Sequence, residues 1–288
     1  MRTRQGRLGY IPAMTTSKHP PVAGTPTAEA IPILFDLHAS MIRGLAWRLS
    51  GSEDEADEIL QETFLEAQRS WSRFEGRSKA STWLGGIAIR RWKRRHRRRV
   101  GEPARIPSLE ELLPFGETTS SVIPAPGGTP LEEVIRQEAA SAVHQAILEL
   151  PDDFRVPLVM KEMLELPIAN VAAALDLNEQ TVKSRLHRAR LRMREAMRSR
   201  LPQSPAVDPA YDRQTCIDLL NAKLNALDAG RVFPVADEVI CGRCSAVFAE
   251  LDLATDLCRD CSGSEPSDTL RALVLGTAAG SNPGLSGD

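Results

Sequence analysis

Apolar positions recur at helical spacing along two long stretches of the chain. In the first, Ile33, Leu34, Leu37, Met41, Ile42 and Leu45 line one face of an amphipathic helix. Ser52 followed by Glu55 reads as a capping box that starts a second helix. There Ala56, Ile59, Leu60, Phe64 and Ala67 face inward, while Glu53, Asp54, Asp57, Glu58, Glu62 and Glu66 make the remaining surface acidic. A loop carrying Trp71, Phe74 and Gly76 leads to a third helix that opens at Thr82-Trp83-Leu84, continues through Ile87 and turns strongly basic from Arg90.

The second stretch begins at Leu131 and runs through Val134, Ile135, Val143, Ile147 and Leu150. Pro151 marks a boundary, with Asp152 and Asp153 suited to a new helix start. Ile168, Val171, Ala172 and Leu175 then fall at i, i+3, i+4 and i+7, and Asp176-Leu177-Asn178 breaks the period. Asp and Asn tolerate left-handed backbone and cap helices, so a tight turn and a helix start are predicted here. Val182, Leu186, Ala189 and Met193 point one way along the next helix, and Lys183, Ser184, His187 and Arg188 point the other. A short helix, a three-residue turn and a longer basic helix make a helix-turn-helix, whose second helix enters the DNA major groove.

Length and charge sharpen this picture. The 288 residues suffice for two or three small domains, and the net charge of −2 carries no nucleic-acid signature by itself. Its distribution does. Residues 90–99 (RRWKRRHRRR) hold eight Lys/Arg and residues 183–200 hold eight more, so these segments carry 16 of the 36 basic residues. Such concentration is what phosphate neutralisation requires. Trp83 and Phe74 beside a basic helix suit stacking on unpaired bases, although each alone reads equally as core. Residues 101–130 contain six prolines and four glycines and are expected to be a linker. No apolar run approaches the ~20 residues of a membrane span and no signal-peptide core is present, so a cytoplasmic protein with no membrane association is expected.

The strings ADEILQETFLEAQRSWSRFEG and STWLGGIA, followed across the linker by ELPDDFRVPLVMKEMLELPIANVAAALDL and TVKSRLHRARLRMRE, resemble the extracytoplasmic-function sigma factors of RNA polymerase. The resemblance implies an all-α fold with two helical domains, sigma region 2 (30–100) and sigma region 4 (131–202), joined by the linker 101–130. Before them comes a disordered tail, 1–29. It implies core polymerase (β and β′ subunits) and promoter DNA as partners, and leaves room for a separate anti-sigma factor. Asp54, Asp57, Glu58, Gln61, Glu62 and Phe64 would dock on polymerase. Trp83, Arg90, Arg91, Lys93 and Arg94 would act at the −10 element. Lys183, Ser184, His187 and Arg188 would enter the −35 major groove, with Arg185 and Arg190 nearer phosphates. Ile87-Ala88-Ile89-Arg90 departs from the family's usual Asn in this stretch, and Asp176 replaces its usual Gly.

All five cysteines follow position 215, spaced Cys216-x24-Cys241-x2-Cys244-x13-Cys258-x2-Cys261. In a reducing compartment, paired CxxC turns point to a metal or to thiol redox chemistry before structural disulfides. TCIDLLNAKLNALDAG followed by ADEVICGRCSAVFAELD also resembles the zinc-binding helical domain of anti-sigma factors, with Asp237 where a His ligand would stand. Two ligand sets are therefore open. Asp237 completes a site with Cys216, Cys241 and Cys244, or Cys258 and Cys261 complete a four-thiolate site. Zinc is the expected ion, with copper and cadmium as sensed competitors. Residues 203–262 are read as a Cys-rich regulatory domain and 263–288 as a tail with one short apolar patch. A stand-alone helix-turn-helix regulator would leave the region 2 pattern without purpose. An enzyme is least expected, because no nucleophile–base pair or phosphate loop is found.

Overall fold

The computed structural model describes residues 20–96, 107–124, 127–231, 233, 240–260 and 265–279. Arg97–Arg99 of the basic run, Asp237 and Cys261 lie outside them. Helix α1 (Thr27–Ser50) ends where Gly51 turns left-handed (φ 74°) and donates its N–H to the Trp47 carbonyl. Helix α2 (Glu53–Ser70) starts at Ser52, whose hydroxyl accepts the Glu55 N–H. The capping box is half formed. The Ser52 N–H goes to the Ser50 hydroxyl, and the Glu55 carboxylate faces His96 at 3.6 Å. Helix α3 (Ala80–His96) completes the first domain, with Phe35 against Phe64 (ring centroids 4.9 Å) and Trp71 and Trp92 fully buried. The Trp71 indole donates to the Thr25 carbonyl at 2.7 Å, so residues 20–26 are anchored on this domain, within the predicted tail.

The second domain contains α4 (Pro130–Glu149), α5 (Asp152–Glu162), α6 (Ile168–Leu175) and α7 (Glu179–Arg198). A complete capping box between Thr129 and Glu132 starts α4. The predicted turn is present in the expected chemistry. Asp176 is left-handed (φ 55°), and the Asn178 side chain accepts the Thr181 N–H at 2.7 Å. Val182, Leu186, Ala189 and Met193 are buried beneath α7 as the periodicity predicts.

Past the second domain lie α8 (Arg213–Asp228), α9 (Gly242–Arg259) and α10 (Asp268–Ala279). The proline-rich stretch differs from a bare linker. Within 107–124 it forms two 3-10 turns and the strand β1 (Thr119–Ser121), paired antiparallel with β2 (Gln203–Pro205). The apolar patch of the predicted tail is α10, whose Leu270 and Val274 pack into the core of α1 and α2 while Arg271 meets Asp36 at 2.6 Å.

The first and second domains touch directly. A Cβ on Gly85 of α3 would lie 2.4 Å from Leu164 and one on Gly51 2.7 Å from Leu148, so either leucine would have to shift, and the positive φ of Gly51 adds strain for any other residue. Arg155 donates to the carbonyls of Leu49, Leu148 and Leu150. Arg48 donates to those of Leu257, Cys258 and Asp260 at the end of α9. These carbonyls are the orphan acceptors of helix and chain ends, which guanidinium groups satisfy well.

His144 of α4 stacks on Trp47 of α1 at 3.6 Å and 11°. Burial, with Arg48 and Arg155 nearby, pushes its imidazole pKa down to about 4. The unfolded chain protonates that ring near 6.5, so it binds more protons than the folded chain between these values. The contact therefore contributes fully above pH 6.5 and is lost as pH falls toward 4. A pH series of thermal unfolding is expected to show this loss, and His144→Phe is expected to remove its share.

Candidate nucleic-acid interface

Helix α7 carries every residue predicted to read DNA in the second domain, and the structure divides them. Ser184 is exposed, and Lys183, Arg185 and Arg188 are half-buried at the solvent face. Arg188 lies 4.6 Å from the Phe154 ring centroid, and Arg185 stands 3.3 Å from Asp153. His187 and Arg190 do not face solvent. His187 Nε2 lies 3.0 Å from Asp228 Oδ2, and Arg190 donates to Asp228 Oδ1 at 2.6 Å and to Glu162 Oε1 at 2.7 and 3.0 Å. Two expectations are corrected here: Asp228, the last residue of α8, covers His187 of the outward set and Arg190, expected nearer phosphates.

The same covering extends down the helix. Arg194 forms a fork with Glu117 (2.6 and 2.9 Å) and meets Glu250 of α9 at 2.5 Å. Arg198 reaches Glu250 at 3.2 Å and the Thr119 carbonyl at 2.6 Å, while Glu250 also accepts the Ser121 N–H at 2.9 Å. Arg259 closes the set on Glu162 at 2.6 Å. His187, Arg190, Arg194 and Arg198 are spaced by three, four and four residues, a second stripe of α7. That stripe was visible in the sequence, but its partners Glu117, Glu162, Asp228 and Glu250 were not. Burial would lower the Arg190 pKa, yet Glu162 and Asp228 together raise it. Burial would raise that of Asp228, yet His187 and Arg190 hold it below the usual carboxylate range. The network is therefore charged and internally matched.

In the first domain Arg90, Lys93 and Arg94 are exposed on α3, and Arg91 pairs with Glu66 at 2.7 Å. Trp83 is half-buried among Trp71 and Phe74 (centroids 5.8 and 5.2 Å). Along α2, Asp54 and Glu58 are exposed and Asp57, Gln61 and Glu62 half-buried. Phe64 is a correction: it is 1% exposed in the core and offers no docking surface. Several α2 carboxylates are engaged, Asp57 by Arg43 and Glu58 and Glu62 by Arg95.

The cysteines are also divided. Cys241 occupies the N-cap position of α9, Cys244 lies in its first turn, and Cys216 comes from α8, the three sulfurs near enough to one another to affect the Cys244 thiol. Burial would raise the Cys241 pKa, but backbone N–H groups of Ala210, Cys244 and Arg243 bring it below the ordinary thiol value. Cys244 is pushed up to about 12 by burial and the two neighbouring sulfurs. Cys258 is elsewhere. It lies fourteen residues further along α9, about 21 Å at 1.5 Å per residue, in the core beside Arg48 and Glu162. Burial pushes its thiol up to about 12. A four-thiolate set that joins Cys244 to Cys258 is thereby overturned, because one continuous helix holds these two apart. Among the described residues no group of three or more His, Cys, Asp or Glu stands in ligating geometry.

The Sigma-70 region 2 family model matches residues 34–101, and the Sigma-70, region 4 model matches residues 140–193. The ECF RNA polymerase sigma factor SigW of Bacillus subtilis is 32% identical over 59% of this chain and 90% of its own length. The chain belongs to the ECF RNA polymerase sigma factors. The RNA polymerase sigma-H factor of Pseudomonas aeruginosa is 30% identical over 61% of this sigma factor and 90% of its own length. A solved chain, the sigma factor RpoE of Bartonella quintana in complex with the anti-sigma factor NepR, is 23% identical, covers 57% of this chain and 93% of its own, and has a TM-score of 0.39. Neither family model extends past residue 193, so β2, α8, α9 and α10 of this sigma factor lie beyond both.

The carboxylates on α7 yield a graded expectation. Asp228→Ala removes one partner of a fully buried guanidinium and is expected to cost up to about 3–5 kcal/mol, less where Glu162 compensates. Asp153→Ala, which loses an exposed contact to Arg185, is expected to cost under about 1 kcal/mol. Chemical denaturation of both variants checks the order, and equal effects would remove the network from its holding role.

Proposed function

We propose that this sigma factor, which binds core RNA polymerase and directs promoter recognition and initiation, is held silent by its own C-terminal helices. The observation that carries this reading is the seating of Asp228 against His187 and Arg190, two residues that would otherwise face promoter DNA. A carboxylate there stands where a phosphate oxygen or a base edge would, and the recognition helix cannot satisfy both. The covered form also keeps regions 2 and 4 in contact, whereas elements named −10 and −35 lie on the order of 85 Å apart at 3.4 Å per base pair. Lys183, Ser184, Arg185, His187, Arg188 and Arg190 would read or brace the −35 element after release. Trp83, Arg90, Arg91, Lys93 and Arg94 would serve the −10 element, and Asp54, Asp57, Glu58, Gln61 and Glu62 the polymerase. All of this would take place in the cytoplasm, and a separate anti-sigma factor would be redundant in the covered form.

In vitro transcription with core polymerase tests the reading. The full chain is expected to initiate poorly, and Asp228→Arg in the full chain, like a 1–202 truncation, is expected to initiate at least about tenfold better, a change of roughly 1.4 kcal/mol. Equal activity of all three would end the self-covering reading and leave the family assignment intact.

The thiol trio supplies the signal in this proposal. Cys216, Cys241 and Cys244 come from both helices of the cover, and three thiols suit a soft cation such as Zn²⁺, Cu⁺ or Cd²⁺ better than a hard one. Such an ion would supply a crosslink between α8 and α9. Because Cys216 lies on α8 and Cys241 and Cys244 on α9, any ligand that draws the three together while α7 is covered would shift the population toward the covered form. Chelation is therefore expected to raise transcription by the full chain and Zn²⁺ to lower it, with Cys216→Ser insensitive to both; metal content read in parallel checks occupancy. A thiol redox switch is the second reading, favoured by the lowered Cys241 thiol at a helix N-terminus next to Cys244. It predicts a response to oxidant that persists in metal-free protein.

A further inference from the structure

A cleft of about 900 Å³ lies between the helix-turn-helix and the end of α8. Its floor is the start of α6, where Pro167 provides no side-chain cap. The first intrahelical bonds run from the Asn170 and Val171 N–H groups to the Pro167 carbonyl, so the Ile168 and Ala169 amides precede them at the positive end of the helix. Lys161 of α5 lines the same cleft, is 8% exposed, and has no hydrogen bond or ion pair among the described residues. Burial of the Lys161 side chain pulls its pKa down, although Glu162 and Asp228 act in the opposite direction, and its ammonium has no ion pair of its own. Lys183 comes from α7, and Arg231 and Arg259 from the cover. Three carboxylates also line it: Asp228 is engaged by Arg190 and His187, while Glu165 and Glu179 have no ion pair among the described residues, so four cationic side chains face three acids.

We propose that this cleft binds a small phosphate-bearing anion, with the phosphate on the α6 amides and Lys161 and with Lys183 and Arg231 flanking it. An uncapped helix start converging with an ammonium and a guanidinium is phosphate chemistry. The volume exceeds that of a bare phosphate and accommodates a nucleotide-sized ligand. Since one wall belongs to the helix-turn-helix and the other to α8 and α9, the occupant strengthens the covered form and acts as a corepressor. The site rests on the self-covered reading, because Arg231 and Arg259 reach it only while α8 lies on α7.

Isothermal titration of the full-length protein with inorganic phosphate, pyrophosphate and ATP tests the site, alongside hydrogen exchange of α8 without ligand. At least one of the three is expected to bind with a Kd below about 1 mM. Lys161→Met is expected to weaken it roughly tenfold or more and Arg231→Ala several-fold. Lys161→Met is also expected to leave the melting temperature unchanged or higher, because the ammonium loses no partner. Protected α8 amides with no binding by any of the three up to about 10 mM overturn the site while sparing the cover. Binding unchanged by Lys161→Met overturns it too. Lys161-dependent binding of duplex DNA alone reassigns the phosphate to the DNA backbone and overturns the small-anion site. Unprotected α8 amides overturn the cover and this site together.

Discussion

A single guanidinium sets the arrangement of this molecule. Arg190 is fully buried, and its charge is tolerable only because Glu162 of the same domain and Asp228 of α8 both accept from it. Desolvating three such charges is expensive, and close matched hydrogen bonds are what repay it. The result is specificity of docking more than net stability. An α8 displaced by one turn would leave Arg190 half-paired, so α8 has one position on α7. That position in turn brings Glu250 to Arg194 and Arg198, and β1 to β2.

The same surface has two possible uses, and both draw on the same charge pattern. His187, Arg190, Arg194 and Arg198 form a basic stripe that suits a phosphate-rich partner. The C-terminal helices meet it with Asp228 and Glu250, and Glu117 and Glu162 supply the remaining carboxylates. Inhibition of this kind needs no distant coupling, because competitor and DNA would contact the same atoms. The opposite end of α8 carries Cys216, against Cys241 and Cys244 of α9, so a change at the sulfurs acts on a helix whose other end holds Arg190.

The reach of α9 explains why the two sigma domains are in contact. Its N-terminus belongs to the thiol cluster and its C-terminal carbonyls accept from Arg48 of α1, so one helix of eighteen residues spans from one domain to the other. Trp47 on His144, Leu164 on Gly85 and Leu148 on Gly51 then fill the seam. Without the cover, the protein-side acceptors of Arg48 would be absent and the seam would rest on these smaller contacts and on Arg155.

The sequence by itself determined the local structure. The 3.6-residue period placed the buried faces of α2 and α7, and the backbone tolerance of Asp176 with the capping side chain of Asn178 marked the turn between α6 and α7. The clustering of Cys241 and Cys244 was also local, because CxxC at a helix start brings two sulfurs together by geometry alone. Tertiary structure decided what each face meets. Phe64, inward by periodicity but assigned to the polymerase by resemblance, is in the core. His187 and Arg190 read as outward because polar side chains at those positions normally are, until carboxylates from 28 to 41 residues away gave them buried partners. Cys258 matched a ligand spacing in one dimension, but the intervening residues form one continuous helix that holds it about 21 Å from Cys244. Spacing along a chain specifies a site only within a turn or two; beyond that, the helices that carry the residues determine which of them meet.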